Sequence, residues 1–276
     1  MNFWEMFVAF VLGLVEGLTE FAPVSSTGHM IIVDDILFQS KEMFSPQVAN
    51  TFKVVIQLGS ILAAVIVFWD RLLSLVGLKK IPSESGDPRQ KLRLSQVIVG
   101  LLPAGILGVL FEDYIDEYLF SIETVLIGLV AGAILMICAD LFGPKKPPVT
   151  SVDQITHGKA FLIGLFQCVS LWPGFSRSGS TISGGVLLGL NHRSASDFTF
   201  IMAVPIMAGA SFLSLLKNWQ YFTVEVIPFF AVGFISAFLF AWLAIRFFLK
   251  LINRVKLIPF ALYRIAVAII LYVLVF

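Results

Sequence analysis

Long apolar runs constrain the fold of this chain more than any other feature of its sequence. A helix needs about 20 apolar residues to cross a hydrocarbon core of about 30 Å. Six stretches fit that length, at 51–69, 95–111, 121–141, 197–215, 227–248 and 258–276. Only 13% of the 276 residues are charged, against about 25% in a soluble domain. The sequence therefore predicts an all-α, polytopic membrane protein, with 1–276 as a single integral membrane domain. The net charge of +1 says nothing about partners by itself, and we expect no nucleic-acid partner.

Two further apolar regions, 3–38 and 159–190, are interrupted near their centres by Pro, Gly and Ser. Each half is too short to cross a bilayer comfortably. Irregular backbone at membrane depth is tolerated only where it is buried in protein or lines a watery cavity. We therefore predict two re-entrant helical hairpins, with their tips at 23–28 and 173–179.

The two interrupted regions resemble each other. FAPVSSTG at 21–28 and LWPGFSRSG at 171–179 share a Pro, then Ser-rich residues, then Gly, and three spans follow each of them. Because three is an odd number, the second copy would enter the membrane upside down. The sequence thus predicts two inverted-topology repeats, 1–142 and 159–276, although two loops of separate origin remain an alternative.

Charge placement gives an independent prediction of orientation. Lys and Arg are concentrated at 79–93, 145–146 and 250–256, which the positive-inside rule assigns to the cytoplasm. The acidic stretch 112–118 is predicted to be a loop on the opposite side. Asp34 and Asp35 are expected at the outer surface, and the Asp70–Arg71 pair is expected to anchor a membrane interface. This arrangement lets the two hairpin tips meet near the middle of the membrane.

The first hairpin carries an unusual concentration of polar side chains. Glu16 and Glu20 lie four residues apart, on one face of a helix. Two carboxylates so close in apolar surroundings favour protonation of one of them or a cation between them, although an acid can also cap backbone or pair with Arg. Pro23 ends the first helix. The residues expected to cap the next helix and to contact an anion at its start are Ser25, Ser26 and Thr27.

The remaining candidates lie beside these residues and in the second tip. His29 follows Ser26 by three residues, so an imidazole could act beside a hydroxyl, as a base or as the nucleophile itself. Gly28 would let a ligand approach the backbone closely. Arg177 at membrane depth needs an anion, either a phosphate or an acid of the first hairpin. Further phosphate contacts are expected from Ser176, Ser178, Gly179 and Thr181.

The stretches EGLTEFAPVSSTGH at 16–29 and PGFSRSGST at 173–181 resemble the two signature motifs of the undecaprenyl-pyrophosphate phosphatases of the BacA/UppP type, bacterial enzymes associated with bacitracin resistance. The resemblance covers essentially the whole chain. It implies a hydrolase that removes the terminal phosphate of undecaprenyl pyrophosphate, so that undecaprenyl phosphate is recycled as the lipid carrier for peptidoglycan synthesis. Ala22 and Thr27 replace the Leu and Ser that relatives often have, which are mild changes.

The resemblance also implies roles for individual residues. The catalytic set would be Glu16, Glu20, Ser26, His29 and Arg177. Glu16 and Glu20 would also bind a divalent cation, Mg²⁺ or Ca²⁺. The nucleophile stays open between Ser26, His29 and water. The protein would lie in the bacterial cytoplasmic membrane, among membrane lipids, with its site opening to the periplasmic face. Bacitracin would compete for the substrate rather than bind the protein.

The sequence leaves open a second function, the role of three polar residues and the oligomeric state. Inverted repeats with broken helices are also a transporter design, so a transporter or flippase of an anionic lipid or small anion is the second hypothesis. The acid pair beside Ser26 and His29 favours the enzyme, because binding alone does not require it. Gln57, with Thr51 and Gln167, is expected either to line the substrate cavity or to link helices. Small residues at 128–133 could pack against another helix, which leaves room for a homodimer.

Overall fold

The computed structural model describes residues 2–119 and 121–276, and over these ranges it confirms the all-α class. The only β contact among them is an isolated bridge between Val149 and Leu190. The α-helices are α1 Phe3–Thr19, α2 Ser26–Met30, α3 Ser40–Met43, α4 Pro46–Val67, α5 Trp69–Leu75, α6 Leu94–Tyr118, α7 Ile122–Phe142, α8 His157–Cys168, α9 Arg177–Leu187, α10 His192–Asn218, α11 Ile227–Val255 and α12 Ile258–Val275.

Six helices are long and apolar enough to cross a membrane. They are α4, α6 as far as Phe111, α7, α10 with its 3₁₀ extension to Tyr221, α11 and α12. These helices correspond to the six apolar runs of the sequence, so the prediction of a multi-pass helical membrane protein is confirmed.

Both interrupted regions form a helix, a break and a second helix. The breaks overlap the predicted tips but end earlier, because 26–28 and 177–179 already belong to the first turns of α2 and α9. After α1, the chain turns through residues 20–25 before α2, which continues as a π-helix over Ile31–Phe38. After α8 and a short 3₁₀ turn at Val169–Leu171, the second break leads into α9. The re-entrant placement of these hairpins in a bilayer and the inverted relation of the two repeats stay predictions.

Close backbone contacts attach each hairpin to a spanning helix from the other half of the chain. α1 packs against α11, and a Cβ atom at Gly13 would overlap the carbonyl oxygen of Gly233. α8 packs against α6, and a Cβ atom at Gly164 would overlap the carbonyl oxygen of Gly100. Small residues that let helix backbones approach are the usual packing device in lipid, where apolar burial contributes little. Each hairpin is therefore held by the opposite half.

The predictions for two charged regions are wrong. The stretch 112–118 is not a loop but continues α6 to Tyr118, with non-helical backbone angles at Phe111 (φ −117°, ψ 15°). Of the two acids expected at the surface, Asp35 is exposed but Asp34 is fully buried, with its carboxylate 2.8 Å from Lys53 Nζ. A buried carboxylate requires such a partner. The partner comes from α4, a pairing that sequence order does not reveal.

Arg71 likewise has ion-pair partners that sequence order does not reveal. Its side chain is buried, with Nη1 2.7 Å from Asp153 and Nη2 2.6 Å from Glu84. Asp153 additionally accepts hydrogen bonds from the backbone N–H groups of Glu84 and Leu92, each at 2.8 Å. This network attaches the basic loop 79–93 to the segment that precedes α8.

Candidate active site

Each hairpin tip ends its break with a serine in an unusual backbone conformation. Ser25 has φ 70° and ψ 96°, and Ser176 has φ 75° and ψ 116°. A positive φ is uncommon for a residue with a Cβ atom and costs on the order of 1–3 kcal/mol. Each hydroxyl accepts a hydrogen bond from the backbone N–H three residues on, from Gly28 at 3.4 Å and from Gly179 at 3.1 Å. The two tips are thus built in the same way, and such strain clusters at functional sites.

The two tips are in direct contact, as the sequence predicts. Ser178 Oγ donates to the carbonyl oxygen of Ala22 at 3.0 Å, and Arg177 Nη2 lies 2.9 Å from Glu20 Oε1. The other carboxylate oxygen of Glu20 accepts a hydrogen bond from Ser26 Oγ at 2.7 Å. The Glu20 carboxylate therefore links the Ser26 hydroxyl of the first hairpin to the Arg177 guanidinium of the second hairpin.

The ion pair is largely shielded from solvent. The side chains of Arg177 and Glu20 are 15% and 9% exposed. The guanidinium carbon of Arg177 lies 5.8 Å from the centre of the Phe21 ring, and Nη2 lies 3.2 Å from Met207 Sδ. In such surroundings each charge requires the other, because an unpaired buried ion is strongly unfavourable.

A cavity of about 280 Å³ opens beside this pair. The residues predicted from sequence that line it are Glu20, Ser25, Ser26, Thr27, Gln57, Gln167, Ser176 and Arg177. Its walls also contain apolar residues, including Ala104, Leu171 and Ile206. A cavity with one cation, several hydroxyls and an apolar wall can accept an anionic group that carries a lipid chain.

Several predicted contact residues have other roles in the structure. Gly28 faces Leu129, and a Cβ atom there would lie 3.2 Å from that side chain, so its small size serves helix packing rather than ligand approach. Ser178 donates to Ala22, as described above. Thr181 Oγ1 donates to the carbonyl oxygen of Arg177 at 2.8 Å and accepts from Thr199 at 2.9 Å. These residues shape the tips instead of lining the cavity.

Two members of the expected catalytic set lie outside the lining of this cavity. His29 is placed by Nδ1 at 2.8 Å from the carbonyl oxygen of Ser25 and by Nε2 at 2.8 Å from the hydroxyl of Tyr263, whose ring stacks on the imidazole. Ser26 bonds to Glu20 and not to His29. Glu16 is buried one helical turn before Glu20. The structure therefore brings together Glu20, Ser26 and Arg177, while Glu16 and His29 are not among the residues that line the cavity.

Sequence reasoning misses Arg264, which supports the second tip. This fully buried side chain of α12 donates through Nη2 to the carbonyl oxygens of Gly174 at 2.9 Å and Gly128 at 3.1 Å. A Cβ atom at Gly132 would overlap its guanidinium, and one at Gly179 would lie 2.9 Å from Nη1. The available signal is a lone arginine in the apolar run 258–276, because an ionisable residue within a span indicates a functional or structural site by default.

The same contacts overturn the suggestion that the small residues of α7 face another chain. Gly128, Gly132 and Ala133 are buried within the structure. Gly128 lies against the backbone of the second tip, and Gly132 lies against Arg264. Their size admits the hairpin and the buried cation, so they offer no surface to a second copy.

Fold and site together define a multi-pass α-helical membrane protein with a partly buried acid, serine and arginine between two helical hairpins. The model of the family "Bacitracin resistance protein BacA" matches residues 9–270. The chain belongs to this family, as its two motifs indicate.

Curated relatives named undecaprenyl-diphosphatase match the whole chain. The protein from Geobacillus sp. (strain WCH70) is 66% identical over 100% of both chains. That from Exiguobacterium sibiricum is 64% identical over 100% of both chains. That from Bacillus subtilis (strain 168) is 63% identical over 98% of both chains.

Replacement of Arg264 by Met should destabilise the protein by roughly 1–3 kcal/mol, because the buried carbonyl of Gly174 loses its donor. Thermal unfolding of purified protein in detergent measures the effect. Arg246→Met is the matched control, since Arg246 is exposed and its guanidinium lies over the Trp242 ring at 4.2 Å. Equal melting temperatures for the two variants would contradict the supporting role of Arg264.

Proposed function

We propose that this protein hydrolyses the terminal phosphate of undecaprenyl pyrophosphate and releases undecaprenyl phosphate and inorganic phosphate. The observation that carries the proposal is the Glu20 carboxylate, bonded at once to Ser26 and to Arg177 on the wall of the cavity. The names of relatives at 61–68% identity support the same reaction and give the transporter hypothesis no support.

Substrate binding follows from the charges in the cavity. The pyrophosphate would compete with Glu20 for Arg177, whose planar guanidinium can bind two phosphate oxygens at once. The N-terminus of α9, which begins at Arg177, also favours an anion. The isoprenoid chain would lie against the apolar wall and the lipid-facing helices. Arg177 thus exchanges an internal carboxylate for the phosphate of the substrate.

The hydrogen bond between Ser26 and Glu20 favours Ser26 as the nucleophile. Ser26 Oγ would attack the terminal phosphorus while its proton passes to Glu20 Oε2, and the bond from phosphorus to the bridging oxygen would break. Undecaprenyl phosphate leaves with that oxygen. The leaving undecaprenyl phosphate would take the proton from Glu20, so the carboxylate is free again to deprotonate a water molecule. That water would attack the phosphoserine, the bond from phosphorus to Ser26 Oγ would break, Ser26 would take the proton back, and inorganic phosphate would be released. His29 is held by Ser25 and Tyr263, which suits a positioning residue for the tip.

A divalent cation fits the acids of the first hairpin. Among the described residues no group of three His, Cys, Asp or Glu side chains could hold a metal ion by itself. Mg²⁺ is commonly bound by one or two carboxylates together with substrate phosphates, rather than by a cage of protein ligands. Glu20, which lines the cavity, would hold the ion, with Glu16 buried one helical turn before it as the second carboxylate. When bound, it would neutralise charge on the phosphate oxygens.

We also place the protein in the bacterial cytoplasmic membrane, with the cavity open to the periplasmic face. The basic loop 79–93 supports this orientation. Cysteines introduced at Lys80 and Asp113, both exposed, in a background without Cys138 and Cys168, test it. A membrane-impermeant maleimide should label position 113 in intact cells and position 80 only after lysis. The reverse pattern would overturn the orientation.

Release of phosphate from undecaprenyl pyrophosphate by purified protein in detergent tests the proposed reaction. Arg177→Met should lower kcat/KM by about 10²–10³-fold, because the main electrostatic contact to the phosphate is lost. Chelation of divalent cations should stop release, and added Mg²⁺ should restore it. Arg246→Met serves again as the control and should keep full activity. If the parent released no phosphate and Arg177→Met behaved like it, the proposed function would be wrong.

The nucleophile can be identified from the trapped phosphoenzyme. Substrate labelled in its terminal phosphate should leave acid-stable phosphoserine on the parent and on His29→Gln, but not on Ser26→Ala. Ser26→Ala should also lose activity by more than about 10³-fold, since it removes the attacking atom. Ser45→Ala, which removes the N-cap hydroxyl of α4, is the matched control. Labelled protein from Ser26→Ala, or an acid-labile label that disappears with His29→Gln, would exclude Ser26 as the nucleophile.

A further inference from the structure

Helix α8 places a glutamine where its packing calls for an apolar residue. Its buried positions are Ala160, Ile163, Gly164 and Gln167. Their spacing of three, four and seven residues defines one face of a helix packed into the protein. Gln167 is the polar member of this face and is 2% exposed.

The amide of Gln167 is not satisfied by the protein. Its Nε2 has no hydrogen-bond partner within the ranges that the structure describes. Gln96 on α6 shows the ordinary alternative: its Nε2 donates to the carbonyl oxygen of Ile155 at 2.6 Å, and its Oε1 accepts from the backbone N–H of Arg93 at 2.6 Å. A buried amide without a partner destabilises the fold. Packing and helix-to-helix bonding therefore do not explain Gln167.

The position of Gln167 connects it with the site. It lines the same cavity as Glu20, Ser26 and Arg177. The helix that carries it is rigidly placed, because the backbone of Gly164, one turn earlier, lies against the carbonyl oxygen of Gly100. The helix is thus fixed before any ligand enters. Nε2 itself is enclosed by protein, so the amide would turn about its last side-chain bond to present its N–H groups to the cavity.

The polar groups that line the cavity suit a ligand that accepts hydrogen bonds and donates none. Gln57, which also lines the cavity, accepts a hydrogen bond from Ser211 Oγ at 3.3 Å through Oε1, so the opposite end of its amide carries the N–H groups. Together with Arg177, the cavity therefore presents several N–H donors. Phosphate oxygens have lone pairs for such donors and no hydrogen to give.

We propose that the amide N–H of Gln167 donates a hydrogen bond to a phosphate oxygen of the bound pyrophosphate, which makes Gln167 a substrate-binding residue. The proposal rests on the proposed function of this site. The bond would be present in the bound substrate and in the transition state alike, so its loss weakens binding without slowing the chemical step.

Gln167→Met tests the proposal, because Met keeps the length of the side chain and removes the donor. KM for undecaprenyl pyrophosphate should rise by about 10- to 100-fold, the effect of one hydrogen bond to a charged acceptor, and kcat should stay within about twofold. The melting temperature should stay the same or rise. Gln96→Met, the matched control, should lower the melting temperature and leave KM unchanged. A lower melting temperature for Gln167→Met with an unchanged KM would show a purely structural role and overturn the proposal.

A second measurement separates this proposal from the proposed function. Inorganic pyrophosphate should raise the melting temperature of the parent and do so much less for Gln167→Met. Gln167→Glu, which turns the donor into a carboxylate facing the phosphates, should abolish that rise. If the parent released no phosphate while these shifts differed as expected, only the proposed reaction would fail. If pyrophosphate stabilised the parent and both variants equally, Gln167 would not bind phosphate, whatever the activity.

Discussion

The ion pair between Glu20 and Arg177 sets the requirements for the rest of this structure. Each charge lies at a break in an apolar hairpin, where an ion without a partner is strongly unfavourable. The partners are separated by 157 positions in the chain, so the pair forms only if the two tips meet. The close packing of α1 on α11 and of α8 on α6 provides that meeting. Glycine backbone contacts outside the cavity lining thereby help to set the distance between Glu20 and Arg177.

The same ion pair forms only if the tips are held in place, so they need stabilising residues that take no part in the reaction. A break in a helix leaves carbonyl and N–H groups without partners. The hydroxyls of Ser25 and Ser176 satisfy one N–H each, and the buried guanidinium of Arg264 satisfies the carbonyl of Gly174. The strained backbone of the tips is retained because these contacts hold it. Such rigidity suits a phosphatase, since most of the catalysis of phosphoryl transfer comes from positioning and electrostatics.

Much of the site could be predicted from local patterns. The four-residue spacing of Glu16 and Glu20, the Pro–Ser–Gly breaks and the lone charge of Arg177 indicated a polar site between two hairpins. Local patterns did not show which side chain would face which. His29 has helical spacing to Ser26, yet it bonds to Ser25 and to Tyr263, a residue 234 positions away. Gly28 and Gly132 look like ligand or interface glycines, but neighbours remote in sequence decide that they serve packing.

The sequence by itself determined the class of the protein, its six spanning helices, its two breaks and its family, because apolar run length, proline and motif residues act locally. Tertiary structure alone decided that Glu20 is shared between Ser26 and Arg177, that Asp34 and Arg71 are buried in ion pairs, and that Gln167 has an unpartnered amide. The physical reason is that the role of a buried polar group depends on which hydrogen-bond or ion-pair partner it meets. The partners come from helices whose order in space depends on packing between distant segments.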